Sequence, residues 1–126
     1  MKSLLILGAG GFGHMIQETA MQLGYEKVSF LDDAVKDPLV VGKCCDYRDF
    51  LDSYEAAVAA LGDNGMRLYW TEKLMEAGYQ VPALIHPSAV VSPSAVIGQG
   101  SFVLQRAVVN THTVVEHGVL LSLIHI

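Results

Sequence analysis

The sequence predicts an α/β domain running directly into a parallel β-helix, and three observations carry that reading. From Ile85 onward the chain divides into six-residue units, each opening on a branched aliphatic residue: Ile85, Val91, Ile97, Val103, Val109, Val115 and Leu121. Ahead of them, a short apolar run ends in Gly8-Ala-Gly-Gly-Phe-Gly13 and meets a helical pattern. Charge divides at the same place. Beyond Ile85 only Arg106 and Glu116 are charged and they cancel, so the net of −5 belongs to the first part.

A period of six fits neither a helix nor a plainly alternating strand. It suits a solenoid in which each unit is one flat side and three units close a triangular coil. The aliphatic residue fills the axis. The fifth position lets the chain turn the corner and is small or modest: Ala89, Ala95, Ser101, Ala107, Thr113, Val119, then His125. Coils stack at the strand spacing of about 4.8 Å, with backbone hydrogen bonds running from coil to coil.

In the first part, Ser3 to Leu7 reads as a strand. A helix is expected over 12–23, with Met15, Ile16, Thr19, Ala20 and Leu23 on one face and Gly24 as its stop. A second strand over 27–31 ends at Asp32-Asp33, about 20 residues past the glycines, as a dinucleotide-type fingerprint requires. An Asp37-Pro38 turn, the apolar Leu39-Val40-Val41 and a short helix within 46–54 follow. A buried strand is expected over 55–61, stopped by Gly62-Asp-Asn-Gly65, then a helix over 66–77 closed by Gly78. Tyr79-Gln-Val81 forms the last short strand before Pro82. Strands alternating with helices imply a small parallel sheet. Its length suits one nucleotide half-site.

The chemistry of that half-site follows from its residue types. Glycines let a backbone approach a pyrophosphate, and a helix N-terminus offers unpaired N–H groups at a positive dipole end. A carboxylate closing the next strand can accept hydrogen bonds from ribose hydroxyls. A glycine turn that only packs helix on strand is the alternative. The loop at Gly62 is expected on the same carboxyl edge, where open α/β sheets bind ligands.

Several classes are set aside. Nothing is basic enough for nucleic acid, and no apolar run reaches the roughly 18 residues that span a bilayer. The N-terminal run leads into a glycine loop and not into a cleavage site. Cys44 and Cys45 are adjacent, which is neither a metal nor a disulfide pattern. A cytoplasmic protein with two reduced thiols and no metal ligands is the expectation.

The segments Leu7-Gly-Ala-Gly-Gly-Phe-Gly13, Phe30-Leu-Asp-Asp33, Leu61-Gly-Asp-Asn64 and Ile85-His-Pro-Ser-Ala89 carry a family resemblance. Their order and spacing resemble the sugar O- and N-acetyltransferases of the sialic acid O-acetyltransferase and bacillosamine-pathway type, up to about Ser122. The resemblance implies a Rossmann-like, nucleotide-sugar-binding domain over 1–84 and the first coils of a left-handed β-helix over 85–126. It implies a homotrimer, acetyl-CoA as co-substrate, and acetyl transfer to an amino or hydroxyl group of a nucleotide-linked sugar or sialic acid. Gly10, Gly11 and Phe12 would meet the phosphates, Asp32 and Asp33 the nucleoside end, and Gly62 the sugar-nucleotide loop.

The family's general base is a histidine on a later hexad, and His suits the task because its pKa lies near 6.5. His117 has the right phase within its hexad. Counting units places it two hexads early, however, twelve residues and not a full coil of eighteen, so it would face another side. An exposed solenoid position is the simpler reading of both His112 and His117, with the family base expected beyond residue 126. His125 occupies a corner that asks for a small residue. A truncated copy is therefore expected, with residues after Leu120 frayed and the layer of Val103, Val109, Val115 and Leu121 part-exposed at an open, associating end. A nucleotide-sugar binder without catalysis and a dinucleotide oxidoreductase lacking its substrate domain are the alternative functions.

Overall fold

The computed structural model describes residues 2–121. Four strands, β1 (Ser3–Leu7), β2 (Lys27–Leu31), β3 (Val40–Gly42) and β4 (Ala56–Ala59), form a parallel sheet in the order β3-β2-β1-β4. Side chains alternate across a strand, and β1 is buried on both faces. Leu4 and Ile6 join Ile16, Ala20, Phe30 and Val58 on one side. Leu5 and Leu7 join Leu31, Tyr54, Ala57, Ala59 and Leu74 on the other. This is why Leu-Leu-Ile-Leu runs unbroken where a half-exposed strand would alternate.

The first helix, α1 (Gly11–Gln22), begins one residue earlier than expected and buries Ile16, Thr19 and Ala20. The second, α2 (Asn64–Ala77), begins at Asn64 and not at 66, because the Asp63 side chain accepts the Met66 N–H at 2.8 Å and caps it. Gly78, at φ 102°, closes it in the left-handed conformation. The short helix expected within 46–54 lies over Cys44–Phe50 as a 3-10 helix.

The expected strand at Tyr79-Gln-Val81 does not form. Ala56 and Gln80 make one isolated parallel bridge, with Gln80 exchanging bonds with Glu55 and Ala57. Pro82 follows and has no N–H with which to extend the pairing.

Beyond it the hexads close into a parallel β-helix. Strands β5 (Leu84–Ile85), β8 (Phe102–Val103) and β11 (Leu120–Leu121) stack on one side. On the other two sides β6 (Val90–Val91) pairs with β9 (Val108–Val109), and β7 (Val96–Ile97) pairs with β10 (Val114–Val115). Partners such as Val91 and Val109 are three hexads apart in every pair. The first and fifth hexad positions meet on the axis, where Val103, Ala107, Val109 and Val115 pack with Ile85, Ala89, Val91 and Ala95.

One expectation is corrected here. Val103, Val109 and Val115 are not part-exposed; they are 0%, 4% and 6% exposed. Three inward aliphatics of one coil converge on the axis and cover one another, in addition to resting on the coil before. The expectations for residues 122–126, including His125 at a corner, lie outside the described residues.

A second correction concerns the corner, which turns at the fourth hexad position and not at the fifth, whose side chains pack inward. Gly100, Arg106, His112 and Gly118 all hold positive φ there, between 60° and 69°. In the preceding coil the Ser88 and Ser94 hydroxyls accept the Arg106 and His112 N–H groups, both at 2.9 Å. The serines of the two Pro-Ser-Ala units are thus rungs between coils.

The sixth position points outward and explains how the two parts join. On the side facing the sheet it is Leu84, Phe102 and Leu120, and these pack into the cluster built on Leu4, Ile6 and Phe30. The Phe12 ring meets Phe102 edge-on at 5.5 Å. On the other sides it is Val90, Val96, Val108 and Val114, all exposed.

Candidate functional site

In the order β3-β2-β1-β4, β2 and β3 are added on one side of β1 and β4 on the other, and ligands of open α/β sheets bind at the carboxyl end of that switch point. Three loops converge on this edge: the glycine loop after β1, the Asp32-Asp33 turn after β2, and Leu61 to Asp63 after β4. Gly8 holds φ 104°, and a Cβ on it would stand 2.6 Å from the Ala60 carbonyl oxygen. A Cβ on Gly13 would stand 1.9 Å from the Gly8 oxygen. Gly8 lets the end of β1 close on the chain after β4, and Gly13 lets α1 close on the end of β1.

Gly10 and Gly11 are different. Among the described residues, no atom beyond the adjoining backbone lies within 4 Å of where their Cβ would be, and the same holds at Gly62. Gly10 caps α1 in an extended conformation, φ −77° and ψ −166°, that other residues can adopt. The packing therefore gives no reason for glycine at 10 and 11. Both open onto space at a helix N-terminus, whose first N–H groups lack intrahelical partners. Phe12 contributes only its main chain here, since its ring is turned onto Phe102.

Asp32 is half-buried beside this loop. One carboxylate oxygen accepts the Ala9 N–H at 2.8 Å, and the other accepts the Ala34 and Val35 N–H groups at 2.8 and 2.7 Å. Burial acts to raise its pKa, but the three N–H groups together outweigh it and hold the carboxyl below its ordinary value. Asp33 is exposed, and its Oδ1 accepts the Cys44 N–H at 3.0 Å. Cys44 is a buried thiol whose pKa is pushed up to about 12, by burial first and then by the charges of Asp33 and Asp32.

Two residues without a site role in the sequence, His14 and the turn residue Asp37, join this edge. The His14 ring lies 4.8 Å from the Phe30 ring, with Nδ1 3.0 Å from the Gly10 carbonyl oxygen and Nε2 3.1 Å from Asp37 Oδ2. The His14 pKa is raised, first by the Gly10 carbonyl and also by Asp37, against the opposing effect of burial. Gly10 and His14 stand four apart at a helix start, which is the signal that could have paired them.

Gly62 and His117 both line a second place, a cleft of about 850 Å³ between α2 and the last described coil. Arg67 forms part of its wall and is only 3% exposed. Its guanidinium donates to the Leu61, Gly62 and Gly118 carbonyls, at 2.9, 3.3 and 2.9 Å, and to the Asn64 side chain. One residue thus ties the third loop, the start of α2 and a β-helix corner together. In the sequence alone Arg67 is marked only as one residue of a helix. His117 Nε2 lies 3.4 Å from Glu72 of α2, and both side chains are substantially exposed. The glycine loop, Asp32 and Asp33 do not line this cleft.

A family model described as the PglD N-terminal domain matches residues 3–74. Among solved structures, the chain is similar to the acetyltransferase domain of PglB from Neisseria gonorrhoeae FA1090 in complex with acetyl coenzyme A. Identity is 38% and the TM-score 0.89, over 94% of this chain and 60% of that one. It is also similar to a point mutant of perosamine N-acetyltransferase from Caulobacter crescentus in complex with CoA and GDP-perosamine. There identity is 26% and the TM-score 0.86, over 97% of this chain and 60% of that one. PerB from Caulobacter crescentus, in complex with the same two ligands, matches at 27% identity and a TM-score of 0.73, over 93% and 64%. The chain spans about 60% of the length of the first of these relatives.

Proposed function

The chain belongs to the PglD N-terminal domain family, and from that premise we propose that it is the nucleotide-sugar-binding part, with the first coils, of an acetyl-CoA-dependent sugar acetyltransferase. The division lies at residue 84, and the β-helix is left-handed. The observation that carries the reading is the open space at Gly10 and Gly11 beside an ionised Asp32. Main-chain N–H groups of Gly10, Gly11 and Phe12 receive the diphosphate, Asp32 and Asp33 face the nucleoside, and Gly62 faces the sugar.

Acetyl transfer on this reading is a direct displacement. The sugar's amino or hydroxyl group attacks the thioester carbonyl, a histidine base takes the proton, the C–S bond breaks, and CoA leaves as the thiol. Backbone N–H groups hold the developing oxyanion. His117 is not assigned as the base. It rests against Glu72, and the hexad count sets it two units before the family's base. A sialic acid acceptor is the less supported choice, because two of the similar structures hold GDP-perosamine, a nucleotide-linked sugar.

We assign a homotrimer as the working assembly. Val90, Val96, Val108 and Val114 form exposed apolar stripes on two sides of the β-helix, which supports that assignment. Cytoplasmic residence is part of the same reading, supported by two free cysteines. Among the described residues no helix is long and apolar enough to cross a membrane.

Calorimetric titration with UDP- and GDP-linked amino sugars tests the binding half of the proposal. Thiol release from acetyl-CoA in the presence of the sugar that binds tests the transfer half. Binding without thiol release would favour a binding protein.

A further inference from the structure

Gly10 and Gly11 share a peptide unit that no side chain of their own restrains, and its carbonyl is held by one residue from α1. The His14 main-chain N–H and the His14 ring Nδ1 both approach the Gly10 oxygen at 3.0 Å. In a trans peptide the carbonyl and the following N–H point in opposite directions, and the described chain has no cis bonds. Fixing the Gly10 oxygen on the His14 side therefore aims the Gly11 N–H away from His14, toward the open face of the loop.

The protonation of the ring follows from its partners. A carbonyl oxygen only accepts, and so does an ionised carboxylate. Asp37 is held ionised, first by the Leu39 N–H, its pKa being lowered. Both ring nitrogens must then donate, and only the imidazolium does so. A neutral ring keeps one contact and turns a lone pair toward an oxygen at the other. The Phe30 ring, 4.8 Å away, supports a cation on its face. Asp37, from the loop between β2 and β3, is the charged group acting on the ring; β2 offers Phe30, and the glycine loop offers the Gly10 and Ala9 carbonyls.

We propose that His14 is a positioning residue: as an imidazolium pinned between Gly10 and Asp37, it holds the Gly11 N–H in the orientation that receives the diphosphate of a nucleotide-sugar. This rests on the nucleotide-sugar reading above. It adds a proton to the binding equilibrium. A raised folded-state pKa means the contact is complete at low pH and is lost as pH rises through that value. A bound diphosphate favours the cation further, so binding just above that pKa takes up a proton.

The test uses the full chain and a nucleotide-sugar that binds it, titrated calorimetrically between about pH 6 and about pH 8.5, the range spanning an ordinary or raised histidine. The affinity should fall about tenfold across this range, the cost of losing one charge-assisted hydrogen bond. Titrations in two buffers of different ionisation enthalpy should show proton uptake. His14→Gln should bind about tenfold more weakly at low pH and lose both the pH dependence and the uptake. Asp37→Asn should move the dependence to lower pH.

Nitrogen-15 shifts of the His14 ring in the free protein give a readout independent of any ligand. Two protonated nitrogens near neutral pH support the proposal; a neutral ring there overturns it. Tight binding that ignores pH, or His14→Gln binding like the parent, overturns it while leaving the nucleotide site standing. Failure of the parent chain to bind any nucleotide-sugar at any pH overturns the underlying reading, and this proposal with it.

Discussion

Asp32 Oδ2 accepts the Ala9 N–H at 2.8 Å, so the carboxylate offered to a nucleoside also sets the path of the glycine loop. Its other oxygen holds the Ala34 and Val35 N–H groups. Asp32→Ala should weaken nucleotide-sugar binding by about 1–3 kcal/mol, the range for a hydrogen bond to a charged group. It should also lower stability, since three N–H groups lose their acceptor. The pH sign follows from the depressed pKa. This stabilisation is present above the ordinary aspartate pKa and is lost as pH falls through the lower, folded value. Acid unfolding followed by circular dichroism should show a smaller loss for Asp32→Asn than for the parent over that interval. Equal acid sensitivity would remove Asp32 as its source.

The glycines should separate into two kinds. Gly13→Ala places a Cβ 1.9 Å from the Gly8 oxygen, a backbone atom that cannot swing aside. It should cost at least about 3 kcal/mol, as severe overpacking does. Gly10→Ala meets nothing within 4 Å and should unfold within a few degrees of the parent while binding the nucleotide-sugar more weakly. Denaturation curves read beside titrations decide this, and a Gly10→Ala protein that binds normally would make the loop purely structural.

Arg67→Lys should destabilise by about 2–4 kcal/mol, because an ammonium cannot span the carbonyls that the planar fork reaches. Nη1 donates to both the Leu61 and Gly62 carbonyls, while Nε reaches Gly118 on another edge of the guanidinium. Amide hydrogen exchange should rise at Gly62 and Gly118 together. Unchanged protection at Gly118 would show that Arg67 does not hold the two parts together.

Arg106 and His112 sit at φ 62° and 60°, a conformation that costs an L-residue roughly 1–2 kcal/mol. Gly100 and Gly118 occupy the same corner elsewhere at φ 69°. Arg106→Gly and His112→Gly should therefore stabilise the chain, each by about 0.5–1 kcal/mol after the entropy glycine loses on folding. Chemical denaturation checks the sign.

The β-helix was legible because its inward positions obey one rule in every unit; Ile85, Val91 and Ile97 announce the axis without reference to anything distant. The join to the sheet was less so. Phe102 interrupts a run of valines at the sixth hexad position, a visible oddity, but its meaning depends on Phe12 and Leu4 far away in sequence. The Tyr79-Gln-Val81 segment has strand-like residues, yet Pro82 limits it to a single bridge. In the site, Gly10 and Asp32 were found from spacing, whereas His14 and Asp37 are 23 residues apart and neither belongs to a motif. Arg67 was missed for a related reason: a buried arginine bonded to carbonyls leaves no charge pattern in the chain. His117 could be assigned a phase from the hexads but not its neighbour Glu72.

The central claim is that a nucleotide-sugar binds at the carboxyl edge of β1, and amide mapping during a nucleotide-sugar titration tests it most directly. The amides of Gly10, Gly11, Phe12, Asp33 and Gly62 should shift together and saturate with one dissociation constant, with the Ala9 amide following through Asp32. Saturating shifts confined to the cleft of Arg67, Glu72 and His117, with the glycine loop silent, would contradict the account.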